Sequence, residues 1–292
     1  MKQSKSVIVF GTGNIGTDLL VKLNNSILKN NVLAVGRRDL SPGIIFAERN
    51  QIPFFTNGLD SISKLIESNE IKWVVDASSA STHLKLTKAL ADFPEISILD
   101  LTPSDLSNSY IPSIDANIVS GGAHIGLISC GAQSSIPIIK ALSLLAPLNY
   151  VEVVAGLSSK SVGAATRNNI DNYIYQTERA IVKYADPLNA KAILIINPAE
   201  PPINMSVSIY FNYRNNLKFS SEKIRGTVLK AIESNRILLP LTTLNENIQE
   251  VNECYLLNLS IKGNGDYLPP YAGNLDVLTH IAREILLQNF AI

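Results

Sequence analysis

Two cysteines stand in the 292-residue sequence, and only Cys130 has surroundings suited to chemistry. It ends the apolar run Ile125–Ile128, is followed by Gly131, and precedes a helix expected over about Ser134–Leu144 with Pro137 in its first turn. Strand, tight turn and helix would set the thiol near the positive end of a helix dipole, which lowers a thiol pKa and raises the thiolate fraction that attacks a carbonyl. The same placement puts it beyond the carboxyl end of a strand, where α/β proteins bind ligands. Cys254, between Glu253 and Tyr255 in a strand, has no turn glycine beside it and reads as structural. Three histidines are present, His83, His124 and His280. With Ile125–Ser129 extended at about 3.3 Å per residue, His124 lies roughly 20 Å from the sulfur, out of hydrogen-bond reach. His83 and His280 fall in helical stretches, where surface or packing roles account for them, so the sequence names no base and no metal site.

The second constellation is Gly11-Thr12-Gly13-Asn14-Ile15-Gly16, a G-x-G-x-x-G turn directly after the apolar strand Val7–Phe10 and directly before a helix. In that context Gly11 permits the tight turn, Gly13 lets backbone approach a pyrophosphate, and Gly16 lets helix and strand pack closely. The helix N-terminus then offers unpaired N–H groups to an anion. About 20 residues on, where a carboxylate would bind ribose hydroxyls, the chain has Gly36-Arg37-Arg38. Two guanidinium groups match a 2′-phosphate, so NADP joins NAD as the expected cofactor. The alternative is a solvated basic turn with Asp39 reaching the ribose.

These residues need a scaffold, and the first hundred positions supply one: Ser6–Phe10, Val32–Val35, Trp73–Asp76 and Ile96–Leu101 are continuous apolar runs between amphipathic stretches. Runs without alternation imply a parallel sheet covered on both faces, so the fold class expected is α/β, a Rossmann-type doubly wound sheet. Beyond Cys130 come a strand over Tyr150–Ser158, a helix over about Arg167–Tyr184, the cleanly alternating Asn204–Tyr213 and a strand over Glu253–Ile261. This reads as a second, α+β domain for substrate binding and dimer contacts. The expected division is residues 1–130 plus a closing helix at 271–292 for the dinucleotide-binding domain, and 131–270 for the catalytic and dimerisation domain. Lys plus Arg and Asp plus Glu each number 25, so no overall field draws the chain to nucleic acid or anionic membrane. No apolar run reaches the roughly 18 to 20 residues that cross a bilayer, and Met1–Lys5 leads straight into the first strand without a signal peptide's apolar segment. A soluble, cytoplasmic protein is expected, its two cysteines reduced.

With both constellations placed, the chain resembles the acylating acetaldehyde dehydrogenase family, relatives of the semialdehyde dehydrogenases. The resemblance runs nearly end to end. It rests on Gly13–Leu19, Asp100-Leu101-Thr102-Pro103, Cys130-Gly131-Ala132-Gln133 with Ile136-Pro137, Ser159–Gly163 with Thr166-Arg167, Asn197–Pro202, and Tyr267-Leu268-Pro269 with Tyr271–Asp276. It implies that Cys130 carries an acyl thioester, that Thr12–Ile15 binds NAD, and that Ser161, Gly163, Thr166, Arg167, Asn169 and Asn274 contact the cofactor. It implies a homodimer and a partner aldolase of the 4-hydroxy-2-oxovalerate type. The activity implied converts a short aldehyde, NAD(P)+ and CoA to acyl-CoA and NAD(P)H; the alternatives are an NADPH-dependent thioester reductase or a catalytically weak cofactor-binding subunit. Gln133 and Asn274 offer amide donors to a developing oxyanion, or else cap and brace. Thr166 and Arg167 are expected anion contacts, or else an N-cap and a surface charge. Three departures stand out: Gly163-Ala164-Ala165-Thr166-Arg167 where the family has Gly-Pro-Gly-Thr-Arg, Arg37-Arg38 in place of an acidic residue, and Val207 where the family has a carboxylate near the cysteine.

Overall fold

A computed structural model describes residues 6–37, 39–115 and 121–290. The first sheet collects β1 (Val7–Phe10), β2 (Val32–Val35), β3 (Phe54–Phe55), β4 (Trp73–Asp76), β5 (Ser97–Asp100), β6 (Asn108–Ser109) and β7 (His124–Gly126). Their order is β3-β2-β1-β4-β5-β7-β6, every pairing parallel. Strands β1, β2, β4 and β5 are buried at every position, as continuous apolar runs require. Helices α1 (Asn14–Asn24), α2 (Pro42–Arg49), α3 (Ile62–Ser68) and α4 (Ala80–Ala89) connect them. Alternate residues serve different layers: Val7 and Val9 pack with Leu19, Leu20 and Leu23 of α1, whereas Ile8, Phe10, Val74 and Ile98 pack with Leu86 of α4. Strand order reverses between β1 and β4, and the crevice at such a switch point is where open α/β sheets bind ligands.

The second half builds a five-stranded sheet from β8 (Leu148–Ser158), β9 (Asn189–Asn197), β10 (Met205–Tyr213), β11 (Thr242–Val251) and β12 (Cys254–Ile261), in the order β11-β12-β10-β8-β9. Only β8 and β9 pair in parallel. The alternation of β10 is fully realised: Met205, Val207, Ile209, Phe211 and Tyr213 are all within 1% of complete burial. Five further helices lie among the described residues: α5 (Cys130–Ser143), the single turn α6 (Ala164–Arg167), α7 (Ile170–Ala185), α8 (Ser221–Ser234) and α9 (Gly273–Phe290). Helix α5 packs against α7, α8 and α9 and against β8 and β10, so one continuous core runs from the first sheet to the second. No helix among the described residues is long and apolar enough to cross a membrane.

Three expectations need correction. Helix α5 begins at Cys130, four residues early, because Ser129 caps it: its Oγ accepts the Ala132 N–H at 3.0 Å. Pro137 therefore lies inside the helix, not in its first turn. The helix expected from Arg167 divides at Asn168–Asn169 into α6 and α7.

The closing helix packs on α1, held by a buried charge cluster. Lys22 Nζ on α1 meets Asp18 at 2.6 Å, Asp276 of α9 at 2.9 Å and Asp266 at 3.1 Å, and Thr279 Oγ1 donates to Asp18 at 2.5 Å. Burial works to lower the Lys22 pKa, but the Asp18 and Asp276 carboxylates outweigh it and raise the value. Lys22→Met would strand buried carboxylates without a cation, so it should cost about 3–5 kcal/mol in urea unfolding; a loss below about 1 kcal/mol would show that the cluster does not hold α9.

Candidate active site

The glycine turn takes shape from what surrounds each glycine. Gly11 has φ of +100°, and a Cβ there would stand 2.7 Å from the Ala77 carbonyl at the end of β4. At Gly16 a Cβ would stand 1.7 Å from the Gly11 carbonyl oxygen, so α1 sits directly on the turn. Gly13 is different: open space lies beside it, where a ligand's phosphates would approach, and it opens α1 with no side-chain cap. Helix α2 is also uncapped by a side chain, because Ser41 Oγ turns to Thr12 Oγ1 at 2.7 Å. Both N-termini face a cleft of about 450 Å³ lined by Gly11, Thr12, Gly13, Arg37 and Ser41 on one side and Ala77, Ser78 and Ser79 on the other. Two uncapped helix starts, a free glycine backbone and an arginine fit an anionic nucleotide. Arg37 is exposed at the cleft rim, and Arg38 lies outside the described residues.

Cys130 is the first residue of α5, four positions past the end of β7. It is only 5% exposed and does not line the cleft. Tyr173 of α7 lies across it: the hydroxyl accepts the Gly131 N–H at 3.1 Å and approaches Sγ at 3.7 Å. Gly131 makes the approach possible, since a Cβ there would come within 2.4 Å of the Tyr173 hydroxyl. Below, Ser129 Oγ bonds Thr177 Oγ1 at 2.9 Å, one turn along α7 from Tyr173. The sequence-based expectation of a low thiol pKa is overturned. Burial pushes the Cys130 thiol up to about 11, and it outweighs the Tyr173 hydroxyl and the backbone N–H groups of Gly131 and Cys130, which pull the other way. Burial also holds the Tyr173 phenol well above its usual value, with the neighbouring Cys130 charge adding to it. Tyr173 went unnoticed in the sequence. The signal available was a polar pair, Tyr173 and Thr177, on the buried stripe of α7 that continues through Ala180, Ile181 and Tyr184.

Other candidates fall into place around these two features. Asn274 opens α9 and donates Nδ2 to the Ser161 carbonyl at 3.2 Å; both side chains are buried, and Asn274 Oδ1 has no partner. Gln133 donates Nε2 to the Tyr110 carbonyl at 2.8 Å, bracing the chain just past β6. Arg167 donates Nε to the Val162 carbonyl and Nη2 to the Ser159 carbonyl, each at 3.0 Å, bracing the turn that carries Ser161 and Gly163. Thr166 follows Gly163 in α6, and Asn169 stands at the N-cap position of α7, where its side chain makes no capping hydrogen bond. Val207, at the family's carboxylate position, is fully buried core. Cys254 is half-buried at the first position of β12, after the Asn252–Glu253 turn. His83 is fully buried rather than on the surface, bonded to Asp76 and facing His124, and neither histidine hydrogen-bonds Cys130.

Comparison with known proteins gives this geometry a context. Residues 130–269 match the family described as prokaryotic acetaldehyde dehydrogenase, dimerisation. An acetaldehyde dehydrogenase of Bacillus cereus is 36% identical, over 98% of this chain and 93% of that one. One of Pseudomonas sp. strain CF600 is 33% identical, over 97% of this chain and 96% of that one. Among solved structures, aspartate semialdehyde dehydrogenase II of Vibrio cholerae superposes with a TM-score of 0.57 over 98% of this chain and 99% of that chain, at 9% identity, and so shares the fold.

The raised thiol pKa has a measurable sign. Below a pKa of about 11 the thiolate fraction grows with pH, so alkylation of Cys130 by iodoacetamide should accelerate about tenfold per pH unit between pH 7 and 9. A plateau below pH 9 would mean that the helix start, and not burial, sets the ionisation.

Proposed function

The chain belongs to the acetaldehyde dehydrogenase family, and from that premise we propose that it is an acylating aldehyde dehydrogenase with Cys130 as its nucleophile. The observation that carries this reading is the position of Cys130: the first residue of the central helix, with a tyrosine hydroxyl over its sulfur and a nucleotide-shaped cleft in the adjoining parallel sheet.

The thiolate of Cys130 forms a bond to the aldehyde carbon as the carbonyl π pair moves to oxygen. The C–H pair then leaves as hydride while the C=O bond re-forms, giving an acyl thioester on the sulfur. The CoA thiol gives its proton to water and its thiolate adds to that carbonyl; the Cys130 thiolate departs and regains the proton it gave to water at the start, so that one proton is released per turnover. A nicotinamide nucleotide held in the cleft by the Gly11–Gly13 turn and Arg37 would, in its oxidised form, supply the hydride acceptor and a positive charge that favours the thiolate. In this chain the Tyr173 hydroxyl, which accepts the Gly131 N–H and lies 3.7 Å from the sulfur, is placed to donate its proton to the thiolate once that has formed. Burial keeps the resting thiol protonated.

The nucleotide is NADP in preference to NAD. Arg37, Ser41 and the uncapped start of α2 gather at the end of the cleft beyond β2, where a 2′-phosphate would lie. Two copies of the chain pair through the open face of the second sheet. There Val154 and Ile193 are neighbours in register, with Ile195 beside them at 48% exposure, on the face opposite the buried Val151, Val153 and Ala155.

Purified protein given short aldehydes, NADP or NAD, and CoA should form reduced nucleotide only with CoA present, and Cys130→Ser should abolish it. Arg37→Asp should shift the NADP to NAD preference by about 10- to 100-fold toward NAD, the worth of one charge-assisted contact. No turnover with any combination would end the proposal, and an unshifted preference would end the assignment of NADP. Ile193→Arg with Val154→Arg should sediment as single chains where the parent sediments as a pair; an unaltered pair places the interface elsewhere.

A further inference from the structure

Behind the cleft wall lies a side-chain cluster that the proposed reaction does not use. Helix α4 carries His83 into the sheet, its Nε2 3.0 Å from Nε2 of His124 at the start of β7 and 3.3 Å from Asp100 Oδ2 at the end of β5. The two ring nitrogens and the carboxylate oxygen all lie within 4.8 Å of one another. We propose that His83, His124 and Asp100 bind one divalent transition-metal ion of the zinc type, although the sequence pattern gave no expectation of a metal.

Spacing is the first argument. Ligands at about 2.0–2.2 Å around a tetrahedral ion stand about 3.3 Å apart, close to the 3.0 and 3.3 Å of the two edges at His83, and the third edge, between His124 and Asp100 and within 4.8 Å, would close on the ion. The second is orientation. His83 Nδ1 is 2.8 Å from Asp76 Oδ2, and Asp76 Oδ1 accepts the Ser78 N–H at 2.9 Å, so the carboxylate is fixed and holds the imidazole with its Nε2 lone pair forward. That carboxylate–histidine pairing is the usual outer support of a metal-bound histidine. The third is charge. Asp76 and Asp100 are 0% and 2% exposed, and among the described residues the salt bridges of both are with His83 alone. A dipositive ion between neutral imidazoles balances the two carboxylates, whereas one histidinium leaves a buried negative charge.

A fourth ligand position is also present. Ser107 Oγ lies 2.7 Å from Asp100 Oδ2 and 3.0 Å from His124 Nε2. A cavity of about 10 Å³, room for about one water, is lined by Asp100, Thr102 and Ser107, and the buried Thr102 Oγ1 has no partner. Two imidazoles with one carboxylate suit zinc or ferrous iron and not calcium or magnesium, which take oxygen ligands. The ion would brace the cysteine from a distance. Asp100 leads into the loop whose Pro103 and Ser104 carbonyls accept Asn172 and Gln176 of α7 at 2.6 and 2.9 Å, and those residues flank Tyr173.

Chelator-stripped protein dialysed against Zn2+ should retain one ion per chain by atomic absorption. His124→Gln should lose it, and Asp76→Asn should bind about 10- to 100-fold more weakly through the lost outer support. No stoichiometric ion, or an undiminished ion in His124→Gln, overturns the site. Should the variant fail to fold, Co2+ added to the parent protein decides. Intense visible bands of a four-coordinate ion without sulfur charge transfer support the site; weak bands of a six-coordinate ion, or a sulfur band from Cys130 or Cys254, overturn it.

Discussion

The contact of Tyr173 with the first residues of α5 governs the rest of the site: one hydroxyl accepts the Gly131 N–H and faces the Cys130 sulfur. A helix start and a hydroxyl donor both favour a thiolate, yet the sulfur remains protonated because it is out of water. Desolvation is the larger effect here, and it gives the resting protein an inert nucleophile. Ionisation must then be coupled to whatever brings polarity to the sulfur, a charged nucleotide or an incoming carbonyl. A glycine at position 131 is the condition for all of this, since any side chain there would lift the tyrosine away.

Helix α7 is therefore the element whose placement counts most, and the chain anchors it at several points. Thr177 bonds the Ser129 cap, Asn172 and Gln176 grip the loop after β5, and Tyr184 reaches the Ser109 carbonyl and Asp115. All three sets of partners lie on the first-sheet side of the chain, whereas α7 itself packs on β9 of the second sheet. Polar contacts thus tie α7, which carries the tyrosine over the cysteine, to the first sheet as well as to the second. Asn274 and Ser161 make a parallel link where α9 begins.

Much of this was legible in the residues. Parallel strands without alternation, the glycine turn in its strand-to-helix setting, and the clean alternation of Asn204–Tyr213 each report a local packing requirement, and each appears as read. What escaped depended on distant partners. The start of α5 was misplaced because Ser129 reads as a strand residue until its hydroxyl is seen to cap Ala132. Strand β9 is an edge strand, half-exposed without a clean period, and β11 carries mostly polar surface, so periodicity gave little sign of them; α8 did have a signal, Ile224, Val228, Ala231 and Ile232 at helical spacing behind the Ser220 cap, that was not read. The low thiol pKa failed for the same reason: a helix terminus is local, and burial is not.

The histidines make the point most sharply. His83 and His124 are 41 residues apart, on a helix and on a strand, and nothing in their spacing pairs them. The parallel register does so. Asp100 stands beside Gly126, and Ile98 beside His124, so the end of β5 and the start of β7 present Asp100 and His124 to the same layer that α4 covers. Gly126 leaves the space, since a Cβ there would strike Ser107 at 2.8 Å. Asp76 and Asp100 close β4 and β5 at matched positions, and a fully buried ring between two carboxylates follows from the topology alone. A buried carboxylate pair demands compensating positive charge, and the fold has placed two imidazole nitrogens where that charge must sit.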